Sequence, residues 1–240
     1  MRVALFVTCL ADQFYAEAGV AAVKLLRSLG VSVEFPEAQS CCGQPAYNAG
    51  YRGAAREIAR HTLALLDRAE YVVLPSGSCT TMLKVFYPEL FREQPQVYRQ
   101  AEELASKTYE LSQFIVQVLG VEDLGRGLMG RRIAYHPGCH GLRELKLSEP
   151  SLLLRRAGAE LVDWPAQEEC CGFGGLFSVK LPSLSLAMAD RKIDTLPDVE
   201  VLTSTDAGCL LQLDGRLRYR GYSISVRPLA SLLWEAREQA

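Results

Sequence analysis

Along the chain, short apolar runs alternate with longer stretches in which apolar residues recur every three or four positions. The run "RVALFVTC" from Arg2 is apolar and β-branched and reads as a buried strand leading to a cysteine. From Phe14 to Leu29, Ala18, Ala22, Leu25 and Leu29 share one helical face while Glu17, Lys24 and Arg27 share another, and Gly30 supplies the stop. "VSVEF" reads as a second strand. A second amphipathic helix is expected from about Tyr51 to Glu70, with Ile58, Thr62 and Leu65 inward and Arg56, Arg60 and Asp67 outward, and "YVVLP" follows as a third strand. Strands that alternate with helices predict a parallel sheet with crossover connections. The stretch from Phe86 to Gly120 reads as mainly helical, divided at Pro95, and its pattern suits packing better than chemistry.

The whole pattern then recurs. Cys9, Cys41, Cys42 and Cys79 are followed by Cys139, Cys170, Cys171 and Cys209, each 129 or 130 positions further on. The flanks repeat as well: "EFPEAQSCCG" aligns with "DWPAQEECCG", "LPSGSCTTML" with "STDAGCLLQL", and "ELSQFI" with "PLASLL". Strands are expected again near Arg132, Leu161 and Val201. The chain is therefore read as α/β, two pseudo-repeated units with short parallel sheets and their cysteines at the C-terminal strand ends. The first unit spans residues 1–122 and the second 131–240, divided at the glycine-interrupted "VEDLGRGLMGRR".

Bulk composition narrows the partners. With 240 residues, 26 Lys and Arg against 28 Asp and Glu, and no basic run, the chain advertises neither nucleic acid nor an anionic membrane surface. No run approaches the roughly 18 apolar residues of a membrane span. The N-terminal run resembles a short export signal, but its counterpart "RIAYHPGCH" recurs at residue 132, so both are read as strands and the chain is expected in the cytoplasm. In that reducing compartment eight cysteines point to metal or redox chemistry rather than to structural disulfides.

All four cysteines of a unit fall at the carboxyl edge of one parallel sheet, where α/β folds place their ligands. Cys79 and Cys209 each lie in a small-residue turn entering a helix, whose N-terminus favours a thiolate. Adjacent cysteines such as Cys41–Cys42 and Cys170–Cys171 reach one ion only if the chain turns sharply, which Gly43 and Gly172 permit. A multi-iron group eases that demand, because neighbouring sulfurs can ligate different irons. Zinc and a redox-active vicinal dithiol are the other chemistries these residues allow. His136 and His140 flank Cys139 where the first unit has Phe6 and Leu10, and an imidazole there can ligate a metal, donate to a sulfur or carry a proton. His61 reads as ordinary surface. "CCGFGGLFS" matches no phosphate-loop pattern, and Phe173 and Phe177 read as packing residues.

These residues resemble the CCG, or cysteine-rich, domain family, found in tandem in the CCG-bearing subunit of heterodisulfide reductase and in the iron–sulfur subunit of glycolate oxidase. The length, the two bare CCG units and the lack of a fused ferredoxin-type cysteine run are most similar to the stand-alone lactate-utilisation protein A family. The resemblance implies an iron–sulfur electron-transfer subunit of a bacterial complex that oxidises L-lactate, or a related 2-hydroxy acid, to pyruvate. It implies partner subunits, including a ferredoxin-like iron–sulfur protein, and a non-catalytic or co-catalytic role for this chain. The expected cofactor is an iron–sulfur cluster of the [4Fe–4S] type, one or two per chain, on Cys9, Cys41, Cys42, Cys79, Cys139, Cys170, Cys171 and Cys209, with His136 as a further metal ligand and zinc as the alternative in one site. A zinc-stabilised assembly module and a thiol–disulfide reductase subunit are the competing functions. One departure from the heterodisulfide reductase pattern is that Ser76 and Asp206 stand where the first cysteine of its final C-x-x-C pair would be. The five-cysteine cluster and the disulfide-cleaving reaction are therefore not carried over.

Overall fold

The structure is a computed structural model and describes residues 1–239. In the first half β1 (Arg2–Leu5), β2 (Ser32–Glu34), β3 (Tyr71–Leu74) and β4 (Thr108–Glu110) form a parallel sheet in the order β2-β1-β3-β4. Val3 pairs with Val33, Ala4 with Val72, and Val73 with Tyr109. The second half repeats it with β5 (Arg132–His136), β6 (Glu160–Leu161), β7 (Val201–Ser204) and β8 (Ser225–Pro228), all parallel, in the order β6-β5-β7-β8. Val3, Ala4, Leu5, Val72, Val73 and Leu74 are all buried, as strands covered by helices on both faces must be.

Between β1 and β2 the chain forms α1 (Cys9–Phe14) and α2 (Ala16–Ser28). The expected helix from Phe14 thus starts two residues later, because Tyr15, at φ −143° and ψ 51°, breaks it from α1. Cys9 opens α1 rather than ending a strand. α3 (Gln44–Asn48) and α4 (Arg52–Leu66) lead to β3, which is followed by α5 (Gly77–Thr81). Beyond α5 the helix widens into a π-helical stretch, Met82–Phe86, and ends at Leu90. Pro95 does separate two helices, and it does so from the first position of the helix Pro95–Ser106, where its missing N–H leaves no bond unmade.

The fourth strand of each sheet is a correction to the sequence reading. β4 (TYE) lies inside the stretch read as helical and β8 (SVRP) precedes "LASLL", and neither carries the apolar, β-branched run that marks β1 and β3. The matched segments "ELSQFI" and "PLASLL" both run from the end of that fourth strand into a helix.

One buried cluster serves both halves. Ala18, Ala22 and Leu25 of α2 lie in it with Leu229, Leu232, Leu233 and Ala236 of the helix Leu229–Glu238, and with Leu124 and Leu128 from the connecting segment. Each half adds a private cluster on the other face of its sheet, one around Phe6, Leu66 and Met82 and the other around Trp164, Ile193 and Leu213. Among the described residues no helix is long and apolar enough to cross a membrane.

Candidate metal centre

In each sheet the strand order reverses between the two central strands, and the crevice beyond their carboxyl ends is where open α/β sheets bind ligands. Cys9 follows β1 and Cys79 follows β3; Cys139 follows β5 and Cys209 follows β7. Cys41 and Cys42 arrive from beyond β2 and Cys170 and Cys171 from beyond β6. Gly43 (φ +87°) and Gly172 (φ +86°) take the left-handed conformation that turns the adjacent cysteines inward. Their backbone N–H groups donate to Cys41 Sγ and Cys170 Sγ, each at 3.4 Å.

The sulfurs converge as the repeat requires. Cys9 Sγ lies 3.8 Å from Cys41 Sγ, and Cys42 Sγ lies 3.2 Å from Cys79 Sγ. In the second half the Cys171 and Cys209 sulfurs lie within 4.8 Å of each other, and Cys139 and Cys170 line the same cavity. All eight cysteines line a single cavity of about 300 Å³, so the two four-thiol sets open towards each other.

Each set can carry little negative charge unaided. Thiol hydrogen bonds from Cys42 and Cys9, with the Gly43 N–H, hold the Cys41 thiol well below its ordinary range, and Cys139, Cys171 and the Gly172 N–H do the same for Cys170. The donors move the other way. Cys9, Cys42, Cys139 and Cys171 are raised by those same hydrogen bonds and by burial, with repulsion between sulfurs adding to both. A cation is what would let all four sulfurs ionise together, and such a donor set fits a thiophilic metal or an iron–sulfur cluster.

The second set has an imidazole as well. His136 is 1% exposed, and burial, with Lys192 nearby, lowers it to about 3, so the ring is neutral. Its Nδ1 is 3.3 Å from the Gln167 carbonyl, which can only accept. The proton therefore sits on Nδ1, and Nε2 is left with a lone pair and no hydrogen-bond partner. The ligating atoms of His136, Cys171 and Cys209 all lie within 4.8 Å of one another. In the first half Phe6, fully buried, holds the equivalent position. His140 also lines the cavity, but its Nδ1 is 3.0 Å from Glu144 Oε2 and its ring meets Phe86 edge-on at 5.7 Å. His61 is exposed, with a ring nitrogen 2.8 Å from the Ala38 carbonyl.

Several contacts that shape the site carry no sequence signal. Ser76 accepts from the Cys79 N–H, capping α5, while its hydroxyl donates to Asp206 Oδ1 at 2.9 Å; the Ser78 N–H donates to the same oxygen at 2.8 Å. Asp206 is thus engaged across the junction of the halves. Tyr87 donates to the Cys42 carbonyl at 2.8 Å. Phe173 closes the cavity against Gly208, where an added Cβ would lie 2.6 Å from its ring, and Phe177 packs over Gly174.

With this geometry in place, the comparisons with known proteins fall into line. The cysteine-rich domain family matches twice, at residues 3–84 and 133–214, bracketing the two sets. The chain is 49% identical over 237 residues to Lactate utilization protein A of Geobacillus sp. (strain WCH70), covering 97% of this chain and 99% of that one. Proteins of the same name from Bacillus velezensis and Shouchella clausii are 47% and 46% identical, again over 97% of this chain and 99% and 98% of theirs. A solved sugar ABC transport substrate-binding protein from Bordetella parapertussis overlaps 94% of this chain and 67% of its own at a TM-score of 0.34 and 14% identity, too distant to bear on fold or function. Two matched cysteine-rich units and near full-length identity of this order mean that the chain belongs to the cysteine-rich CCG domain family, in the tandem form of the Lactate utilization protein A proteins.

Proposed function

We propose that this chain is the iron–sulfur electron-transfer subunit of a system that oxidises L-lactate, or a close 2-hydroxy acid, to pyruvate. The observation that carries the reading is the duplicated four-thiol set, with all eight sulfurs lining one cavity. Cys9, Cys41, Cys42 and Cys79 would hold one cluster of the [4Fe–4S] type, and Cys139, Cys170, Cys171 and Cys209, with His136, a second. Such clusters accept and release electrons singly, which suits a pair of them to a two-electron oxidation. The chain's own part is to gather the thiols, to supply the Gly43 and Gly172 N–H groups to sulfur, to close the cavity with Phe173 and to brace Cys42 through Tyr87. The names of the relatives support the substrate. Hydroxyacid chemistry would lie on partner subunits, a ferredoxin-like iron–sulfur protein among them, in the cytoplasm.

A second reading, zinc in one or both sites of an assembly module, is favoured by one distance. The 3.8 Å between Cys9 and Cys41 sulfurs equals the edge of a tetrahedron built from metal–sulfur bonds of about 2.3 Å. Anaerobic purification with iron, acid-labile sulfide and zinc analysis decides. Brown protein carrying iron and sulfide, about half of it lost in Cys42→Ser and the other half in Cys171→Ser, supports the cluster reading; colourless protein with about one zinc per four thiols and no iron overturns it.

A further inference from the structure

We propose that Lys192 makes the second-half site the more easily reduced of the two, a difference of reduction potential set by the fold around two equivalent cysteine sets. The proposal rests on the iron–sulfur reading above. Lys192 is 0% exposed and, among the described residues, is the only Lys or Arg that is buried. Its Nζ donates to the carbonyls of Ala166, Gln167 at 2.9 Å and Glu169 at 3.0 Å, and it lies 4.2 Å from the centre of the Trp164 ring. Those carbonyls belong to the turn that delivers Cys170 and Cys171.

Every one of these partners is a neutral dipole or a π face, so the ammonium is held without being neutralised. The nearby Glu169 carboxylate is taken by Arg191 at 2.7 Å. Burial lowers Lys192 only to about 8, which is above neutral, so the cation prevails at neutral pH. A group that gains negative charge on reduction is stabilised by a cation held in a medium that screens it weakly.

Among the described residues the first half has no fully buried cation; its half-buried Lys84 donates to the Ala105 and Thr108 carbonyls around the start of β4, not to the turn that carries Cys41 and Cys42. The first half's buried polar side chains are Thr8, Thr62, Ser76, Thr80, Thr81, Thr108, Glu110, Ser112 and Gln113, with no cation among them. Where Lys192 braces the approach to Cys170, the neutral Tyr87 hydroxyl braces Cys42. Asp206 sits at the junction, accepting from Ser76 and Ser78 beside Cys79 while holding the N-cap position of the helix that carries Cys209, so its charge bears on both sites and does not set them apart.

The test is a potentiometric titration of the loaded protein followed by electron paramagnetic resonance, with Cys42→Ser and Cys171→Ser assigning each signal to its half. The expected result is a higher midpoint for the second-half signal. Lys192→Gln, which keeps hydrogen-bond donors but not the charge, should lower that midpoint and leave the first-half signal in place; Lys192→Arg should restore it. Equal or reversed midpoints in the unmodified protein overturn the proposal even if Lys192→Gln fails to fold, and so does a Lys192→Gln protein in which the second midpoint stays or both move together. Protein that carries zinc and no iron fails at the earlier stage, removing the cluster reading and this proposal together.

Discussion

Ser76 and Asp206 hold the same place in the two repeats, 130 residues apart, and are hydrogen-bonded to each other at 2.9 Å. Equivalent residues touch only where a local two-fold axis passes between them. The cysteine turns of the two halves therefore meet head to head, and the bond between them is also what orders Ser76 as the cap of α5.

Removing that junction should loosen both sites at once. Asp206→Ala strips a charged acceptor from a buried hydroxyl and from the Ser78 N–H, a loss of about 2–4 kcal/mol. Asp206→Asn keeps an oxygen for both donors and should lose less than half as much. Urea denaturation measures the stability, and metal content resolved by half measures the coupling; a change confined to the second half contradicts the shared junction.

Gly43 and Gly172 give a matched pair, because their φ angles are nearly equal. A Cβ at Gly172 would collide with the Ser185 carbonyl oxygen, whereas at Gly43 the nearest atom would be Ile58 Cγ2 at 3.3 Å. Gly43→Ala should therefore carry little beyond the left-handed strain of about 1–2 kcal/mol. Gly172→Ala should exceed it by a further ~2 kcal/mol or fail to fold. Equal stabilities for the two variants would show that backbone conformation alone sets the penalty.

Glu110 gives a pH signature. It is fully buried, and although Ser112 and the Gln113 N–H donate to it, burial raises it from 4.5 to about 7. A carboxyl raised on folding holds its proton more tightly in the folded chain. Its contribution is complete below about 4.5 and is lost as pH rises through about 7, on the order of 3 kcal/mol in all. Glu110→Gln should flatten stability between about pH 5 and 7.5. An unaltered slope in that variant would assign the dependence elsewhere.

Metal loading should release protons, since the raised thiols Cys9, Cys42, Cys139 and Cys171 are protonated in the empty sets and must ionise to ligate. Occupancy at fixed metal should climb with pH across the neutral and mildly alkaline range. Pairing a pH indicator with metal uptake in weak buffer checks it, and uptake without acidification would mean the sulfurs are not the ligands.

Much of this was legible in the chain, because the repeat spacing fixes which cysteines are equivalent and the strand–helix alternation fixes which end of the sheet they reach. His136 stood out only because its counterpart is Phe6. The rest depends on side chains meeting across long sequence gaps. Tyr87 reaches Cys42 from 45 positions away and Ser76 reaches Asp206 from 130, and neither contact leaves a local pattern. Lys192 looks like any helix lysine until its three carbonyl partners are seen. β4 and β8 escaped because TYE and SVRP lack the apolar, β-branched run that marks β1 and β3.

The meeting of the two repeats inside one chain has a consequence for what the site can become. In a dimer of identical subunits every substitution appears twice, so the partners across the axis stay alike. Here a histidine and a buried lysine could be placed on one side while phenylalanine and tyrosine serve the other. Carrying both units on one chain frees the pair from its own symmetry, so that each site can be tuned without altering the other.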